Sequence, residues 1–202
     1  MLFRSKSHIW QRSPNPTGTF EQALTTVKLD AEKYWQAEDV LRRMEFSLQC
    51  SYAHGTRAIR THIDAAGQQG EISFGVFQNL QSAWSGRMIM QAVSLVSLDY
   101  YQTPEGIALA DKVAEIGGIL GGVAYMNDSL DNQLDTVFSL AKERNLDLDF
   151  HADENDDTNS ICLHKIAEAA LRNEFLGHIL CGHCCSLAVQ PPAVVRKTID
   201  LV

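Results

Sequence analysis

The tetrad His151-Ala152-Asp153-Glu154 sets an imidazole and a carboxylate three positions apart. A neutral imidazole is a common ligand for zinc or ferrous iron. A carboxylate three residues on, in a loop, can reach an activated water without ligating the ion, which is the place of a general acid/base. The same letters also fit a solvated acidic loop, because Asp156 and Asp157 follow immediately. A second imidazole strengthens the chemical reading: His183, in Cys181-Gly182-His183-Cys184-Cys185. Two further carboxylates fall in similar settings, Asp64 after Arg60-Thr61-His62-Ile63 and Asp99 after Ser97-Leu98. His62 reads as structural or as a neighbour of the site, and His54, His164 and His178 read as structural.

Cys181-Gly182-His183-Cys184 also matches a disulfide-isomerase motif. That chemistry needs the first cysteine at a helix N-terminus, where its thiol pKa is lowered. It also needs the rest of a thioredoxin fold downstream, and too few residues follow Cys185 to build one. A structural zinc site on these cysteines lacks a second ligand pair at matching spacing.

These groups need elements to position them. Short apolar or β-branched runs occur at Thr56–Ile63, Met88–Val96, Ile119–Tyr125, Leu146–His151 and His178–Gly182. Helical patterns follow at about 74–85, 104–116, 129–144, 159–174 and 191–202. Asp128 is the expected cap of the third of these, and Asn145 its expected exit. Two more helices precede them, one capped by Thr19 and one from Ala37 to Ala53 that ends before Gly55. The runs recur at roughly 30-residue intervals, the size of one βα unit of a barrel. No glycine-rich phosphate loop follows the first run, which argues against a dinucleotide fold. The expected fold class is therefore α/β, a partial (β/α)8 TIM barrel with about five βα units present. In such folds chemistry sits at the C-terminal ends of the strands, and His or carboxylate residues occupy four of those five ends. Arg60, inside the first run, is expected to be buried against a carboxylate such as Asp64 or Asp99.

The composition excludes several classes of function. Hydrophobic residues make up 45% and charged residues 21%, ordinary for a globular chain. The formal charge of -8, with scattered Lys and Arg, argues against a nucleic-acid partner. No apolar run approaches the roughly 20 residues that cross a bilayer, so no membrane partner is expected. Five cysteines, an odd number, do not form an obvious disulfide framework, and a cytoplasmic location with reduced thiols is expected.

Taken together, Thr61-His62-Ile63-Asp64, His151-Ala152-Asp153-Glu154 and Gly182-His183-Cys184 resemble the motifs of the cytosine deaminase-like amidohydrolases in order and spacing. Ser7–Trp10 and Arg12–Phe20 resemble the loop after the first barrel strand of that family. The resemblance covers nearly the whole chain. It implies a metal-dependent hydrolase acting on C–N bonds of cyclic amidines, with one divalent cofactor, Fe2+ or Zn2+. The substrate would be a small nucleobase-like heterocycle, cytosine or a related molecule. By the resemblance His151 is a metal ligand, Glu154 the acid/base that protonates the ring nitrogen, and His183 the histidine that orients the attacking water. Asp64, Leu98, Asp99 and Asp157 are the candidate substrate-binding residues. Leu98 stands where the family carries a glutamine that reads the cytosine edge. The family's first-strand His-x-His pair corresponds to Met1–Ser5 here, and its late aspartate has no counterpart before Val202. The chain is accordingly expected to be a single truncated barrel domain, 1–202, with little or no activity alone. The alternative is a non-catalytic remnant, and a homo-oligomer is left open.

Overall fold

A computed structural model describes residues 6–202. The Met1–Ser5 stretch, matched above to the family's His-x-His, lies outside the described residues. The chain forms two compact units, Met1–Ala92 and Val93–Val202.

The first unit begins with an irregular loop and two helices, α1 (Phe20–Tyr34) and α2 (Ala37–Ala53). Thr19 caps α1 as expected, its Oγ1 accepting the Gln22 amide at 3.3 Å. On α2 the apolar period buries Val40, Met44 and Leu48 completely. Gly55, with φ 83°, then takes the left-handed turn that an L side chain would resist. Ion pairs help to hold the loop. Buried Asp30 accepts two bonds from the Arg12 guanidinium, at 2.9 and 2.8 Å, and one from Trp35 Nε1 at 2.7 Å. Asp39 accepts from Arg12 as well, and from Arg43 Nε at 2.8 Å. Arg43 Nη1 donates to the Ser7 carbonyl at 3.1 Å. Carboxylates taken out of water need such full pairing.

Strand β1 (Ala58–Asp64) leads into α3 (Gly67–Ala83). This helix starts seven residues before its expected position at 74. Gly67 and Gly70 weaken the helical pattern in the sequence, but Gly70 is required by packing. A Cβ there would lie 2.2 Å from the Ala65 carbonyl oxygen. Strand β2 (Ile89–Leu95) follows, and its Ile89 amide donates to the Arg57 carbonyl at 2.9 Å. Arg60 is not buried, contrary to expectation. It is exposed on the strand and donates to Gln91 Oε1 at 3.2 Å.

The second unit is a run of parallel strands covered by helices. The end of β2 bridges β3 (Leu120–Ala124) in parallel at Val93–Ile119 and Ser97–Val123. Strands β3, β4 (Leu148–Ala152) and β5 (Ile179–His183) form a parallel sheet in that order. A short 3-10 turn (Leu98–Gln102) and helix α4 (Pro104–Glu115) connect β2 to β3. Helix α5 (Leu130–Arg144) follows β3, α6 (Cys162–Arg172) follows β4, and α7 (Pro192–Ile199) comes after β5. The last helix stops at Ile199, short of the expected 202. Asn145 ends α5 in the left-handed region, as expected. Asp128 does not cap it; the Ser129 amide instead donates to Asn127 Oδ1 at 2.9 Å.

All five residues of β4 are buried, whereas β5 is partly exposed. Phe138 of α5 meets Phe150 of β4 with ring centroids 6.1 Å apart. Gly121 on β3 lets the backbones close up, since a Cβ there would meet Val93 Cγ1 at 2.3 Å and the Asp149 carbonyl at 2.6 Å. The buried Tyr101 hydroxyl donates to the Gly121 carbonyl at 2.7 Å and pairs with Ser94 Oγ at 2.8 Å. The architecture is α/β with alternating helices and parallel strands. Among the described residues the strands form no closed barrel.

Candidate metal centre

Because β3, β4 and β5 are parallel, their C-terminal ends lie along one edge of the sheet. Register sets Ala152 of β4 beside His183 of β5, and His151 beside Gly182. The rings of His151 and His183 meet edge to face, with centroids 4.6 Å apart at 69°. Glu154, just past β4, sends its carboxylate between them. Its Oε1 lies 3.3 Å from His183 Nδ1 and its Oε2 3.9 Å from His151 Nδ1. Among the described residues these three form the one group of metal-ligating side chains whose ligand atoms all lie within 4.8 Å of one another. His151 is buried at 4% exposure, while the side chains of Glu154 and His183 are about one third and one quarter open. The donor set, two imidazoles and a carboxylate, suits zinc or ferrous iron, so these residues fit the implied ion.

Backbone geometry holds the cluster together. His183 and Cys184 both take positive φ, 68° and 51°. The chain therefore turns back at the end of β5. The Cys184 amide donates to the Ala152 carbonyl, and the Cys185 amide to the Asp153 carbonyl, each at 2.9 Å. Cys181 sits within β5 rather than at a helix N-terminus. Burial pushes its thiol up to about 12, the opposite of what a redox cysteine needs.

The other expected site residues are not members of this group. Asp64 ends β1 in the first unit and pairs with Lys6 at 3.3 Å. Leu98 is buried in the turn after β2, and Asp99 beside it is exposed. Asp157 is exposed in the loop after β4, where its Oδ1 accepts the Asn159 amide at 2.9 Å. None of these four belongs to the His151–Glu154–His183 group.

Two residues near the centre escaped the sequence reading. Tyr125, immediately after β3, has its phenol pKa raised by burial and by the charge of Glu154. Its position after an apolar strand was the only available signal. Asp153 is buried at 3%, although in the sequence it belongs to an acidic run.

No protein-family model matches the chain. It is 48% identical over 198 residues to a pterin deaminase of Rhizobium rhizogenes, covering 98% of this chain and 45% of that protein. It is 22% identical over 178 residues to N-isopropylammelide isopropyl amidohydrolase of a Pseudomonas species, covering 85% of this chain and 44% of that protein. Its fold matches 5-methylcytosine deaminase from Klebsiella pneumoniae, solved with phosphonocytosine, at a TM-score of 0.86 and 20% identity. That match covers 99% of this chain and 50% of the other. The chain thus spans about half the length of the relatives it matches. By its relatives, its fold and its strand-end motifs, the chain is similar to the cytosine deaminase-like amidohydrolases.

Proposed function

We propose that the chain carries part of the active centre of a metal-dependent deaminase. The reaction would be hydrolysis of an exocyclic C–N bond on a pterin- or cytosine-like heterocycle, in which water replaces the amino group and ammonia leaves. The observation that carries this reading is the Glu154 carboxylate set between His151 and His183. The five βα units read as part of a (β/α)8 barrel, the architecture that gathers strand ends into one site.

His151, buried on the rigid central strand, is the ligand. A divalent ion held there, Zn2+ or Fe2+, would supply Lewis acidity that makes water a nucleophile near neutral pH. Glu154 lies in the loop, more open than His151, where it can pass a proton to a ring nitrogen. The His183 ring, braced by the same carboxylate, is placed to accept a hydrogen bond from the attacking water or to give one. Tyr125, whose phenol feels the charge of Glu154, is proposed to meet the heterocycle. Asp64, Leu98, Asp99 and Asp157 are proposed as substrate contacts: Asp64 ends β1, Leu98 and Asp99 follow β2, and Asp157 lies in the loop after β4. Among the described residues the centre offers two imidazoles, whereas catalytic zinc sites usually have three protein ligands. Tight binding would therefore draw on further ligands.

Elemental analysis of the purified chain tests the reading, beside His151→Ala and an assay of ammonia release from pterin and from cytosine. Near-stoichiometric zinc or iron, lost in the variant, supports it. A metal-free chain that cannot be loaded overturns it and leaves a non-catalytic relative of the deaminases.

A further inference from the structure

We propose that Asp153 is a positioning residue of the centre, a group that fixes Glu154 and His183 relative to His151. The inference rests on reading the cluster as a metal and acid–base centre, and the test below separates the two.

Asp153 is buried at 3% with φ 52°, in the left-handed region that few residues other than glycine enter and that aspartate tolerates better than most. Its carboxylate is bound at the start of α6. Oδ1 accepts from Ser160 Oγ at 2.7 Å and from the Cys162 amide at 2.8 Å, and Oδ2 accepts the Leu163 amide at 2.9 Å. A negative charge at a helix N-terminus is stabilised by those unpaired amides and by the helix dipole. Meanwhile its backbone carbonyl accepts from the amides of Cys185, at 2.9 Å, and Ser186, at 3.4 Å. Ser186 Oγ adds a bond to the Asn155 carbonyl at 2.9 Å.

One residue therefore ties together three elements: the end of β4, the start of α6 and the turn after β5. The positive φ matters because it lets the side chain enter α6 while the next residue, Glu154, faces the rings. Asparagine at 153 would keep the size but set an amide N–H against an N–H donor or lose an acceptor. The cap would loosen, and with it the hold on Glu154 and on the His183 turn.

The test compares the chain with Asp153→Asn, the milder Ser160→Ala, and Val137→Ala, a core truncation on α5 away from the cluster. Two readouts are taken: the NOE between the His151 and His183 rings without metal, and Co2+ affinity by visible absorption. We expect Asp153→Asn to weaken the NOE several-fold and to raise the Co2+ Kd about ten- to a hundredfold, the range for residues that orient ligands. Ser160→Ala should move both in the same direction by less, and Val137→Ala should move neither. If Asp153→Asn loses stability but keeps both the NOE and the Co2+ affinity, Asp153 is only a helix cap and the proposal is overturned. If the unsubstituted chain takes up no Co2+ while the NOE responds as expected, the metal reading falls and the positioning role stands. If Asp153→Asn fails to fold, Ser160→Ala decides by the same two readouts.

Discussion

The imidazoles of His151 and His183 face one carboxylate, Glu154, from adjacent parallel strands, with ring centroids 4.6 Å apart. Two imidazoles this close to one carboxylate act in one centre, His151 as the ligand and His183 beside the attacking water. His151→Ala and His183→Ala should each lower Zn2+ affinity at least tenfold by calorimetry. The double variant should lose less than the sum of the two, because a single site fails once. Fully additive, small losses would show that the two rings do not act at the same ion.

Backbone packing at β3 leads to a contrast between two glycines. Gly121→Ala places a Cβ 2.3 Å from Val93 Cγ1 and 2.6 Å from the Asp149 carbonyl, where the central strands cannot move apart. A cost of roughly 3 kcal/mol or more is expected, at the upper end of the overpacking range. Gly75→Ala on α3 meets nothing within 4 Å and has no positive φ. It should stabilise by about 0.5–1 kcal/mol through helix propensity. Denaturant unfolding of both variants checks the pair, and similar effects would contradict the packing.

The ion cluster of the first unit predicts acid sensitivity. For Asp39, burial raises the carboxyl pKa, but hydrogen bonds and charge from Arg12 and Arg43 outweigh it and hold the group at about 2. Asp30 is also held below its ordinary value: burial opposes this, and bonds from Arg12, Ser13 and Trp35 prevail. A carboxyl with a depressed folded-state pKa contributes stability that is fully present above its unfolded value, 3.8 for Asp39, and is lost as pH falls through the folded value. Urea unfolding followed by tryptophan fluorescence reports on this unit, because Trp10, Trp35 and Trp84 all lie in it. Stability should stay level from pH 7 to 5 and fall by on the order of 2 kcal/mol between pH 4 and 2, from Asp39 alone. Asp39→Asn should flatten that slope, and an unchanged slope would rule out the assignment.

Thiol reactivity offers a further check. Burial pushes Cys181 and Cys162 up to about 12, with the charge of Asp153 adding to both, and burial also raises Cys184. Cys185 alone is exposed among the five cysteines. At pH 8 the native chain should react quickly with a disulfide reagent at Cys185, while Cys162 and Cys181 react only on unfolding. It should also fail to reduce insulin. Rapid labelling of Cys181 in the folded chain would reopen the redox reading.

The sequence by itself carried the alternation of strands and helices, the caps at Thr19 and Asn145, and the strand-end placing of His151, Glu154 and His183. These are local properties: apolar period, turn chemistry and the few residue types able to bind a metal or move a proton. Which acid in the run Asp153, Glu154, Asp156, Asp157 turns inward is not local. It depends on where the N-terminus of α6 stands after the fold forms, and only tertiary structure decided that Asp153 is buried while Glu154 meets the rings. The same holds for Gly70, which weakens a helix pattern in the sequence yet is what allows α3 to begin against Ala65. Tyr125 gains meaning only from the charge of Glu154. The fold also decided that Arg60 stays exposed beside Gln91, because side-chain burial follows from which neighbours a strand face acquires, and no short-range pattern records that.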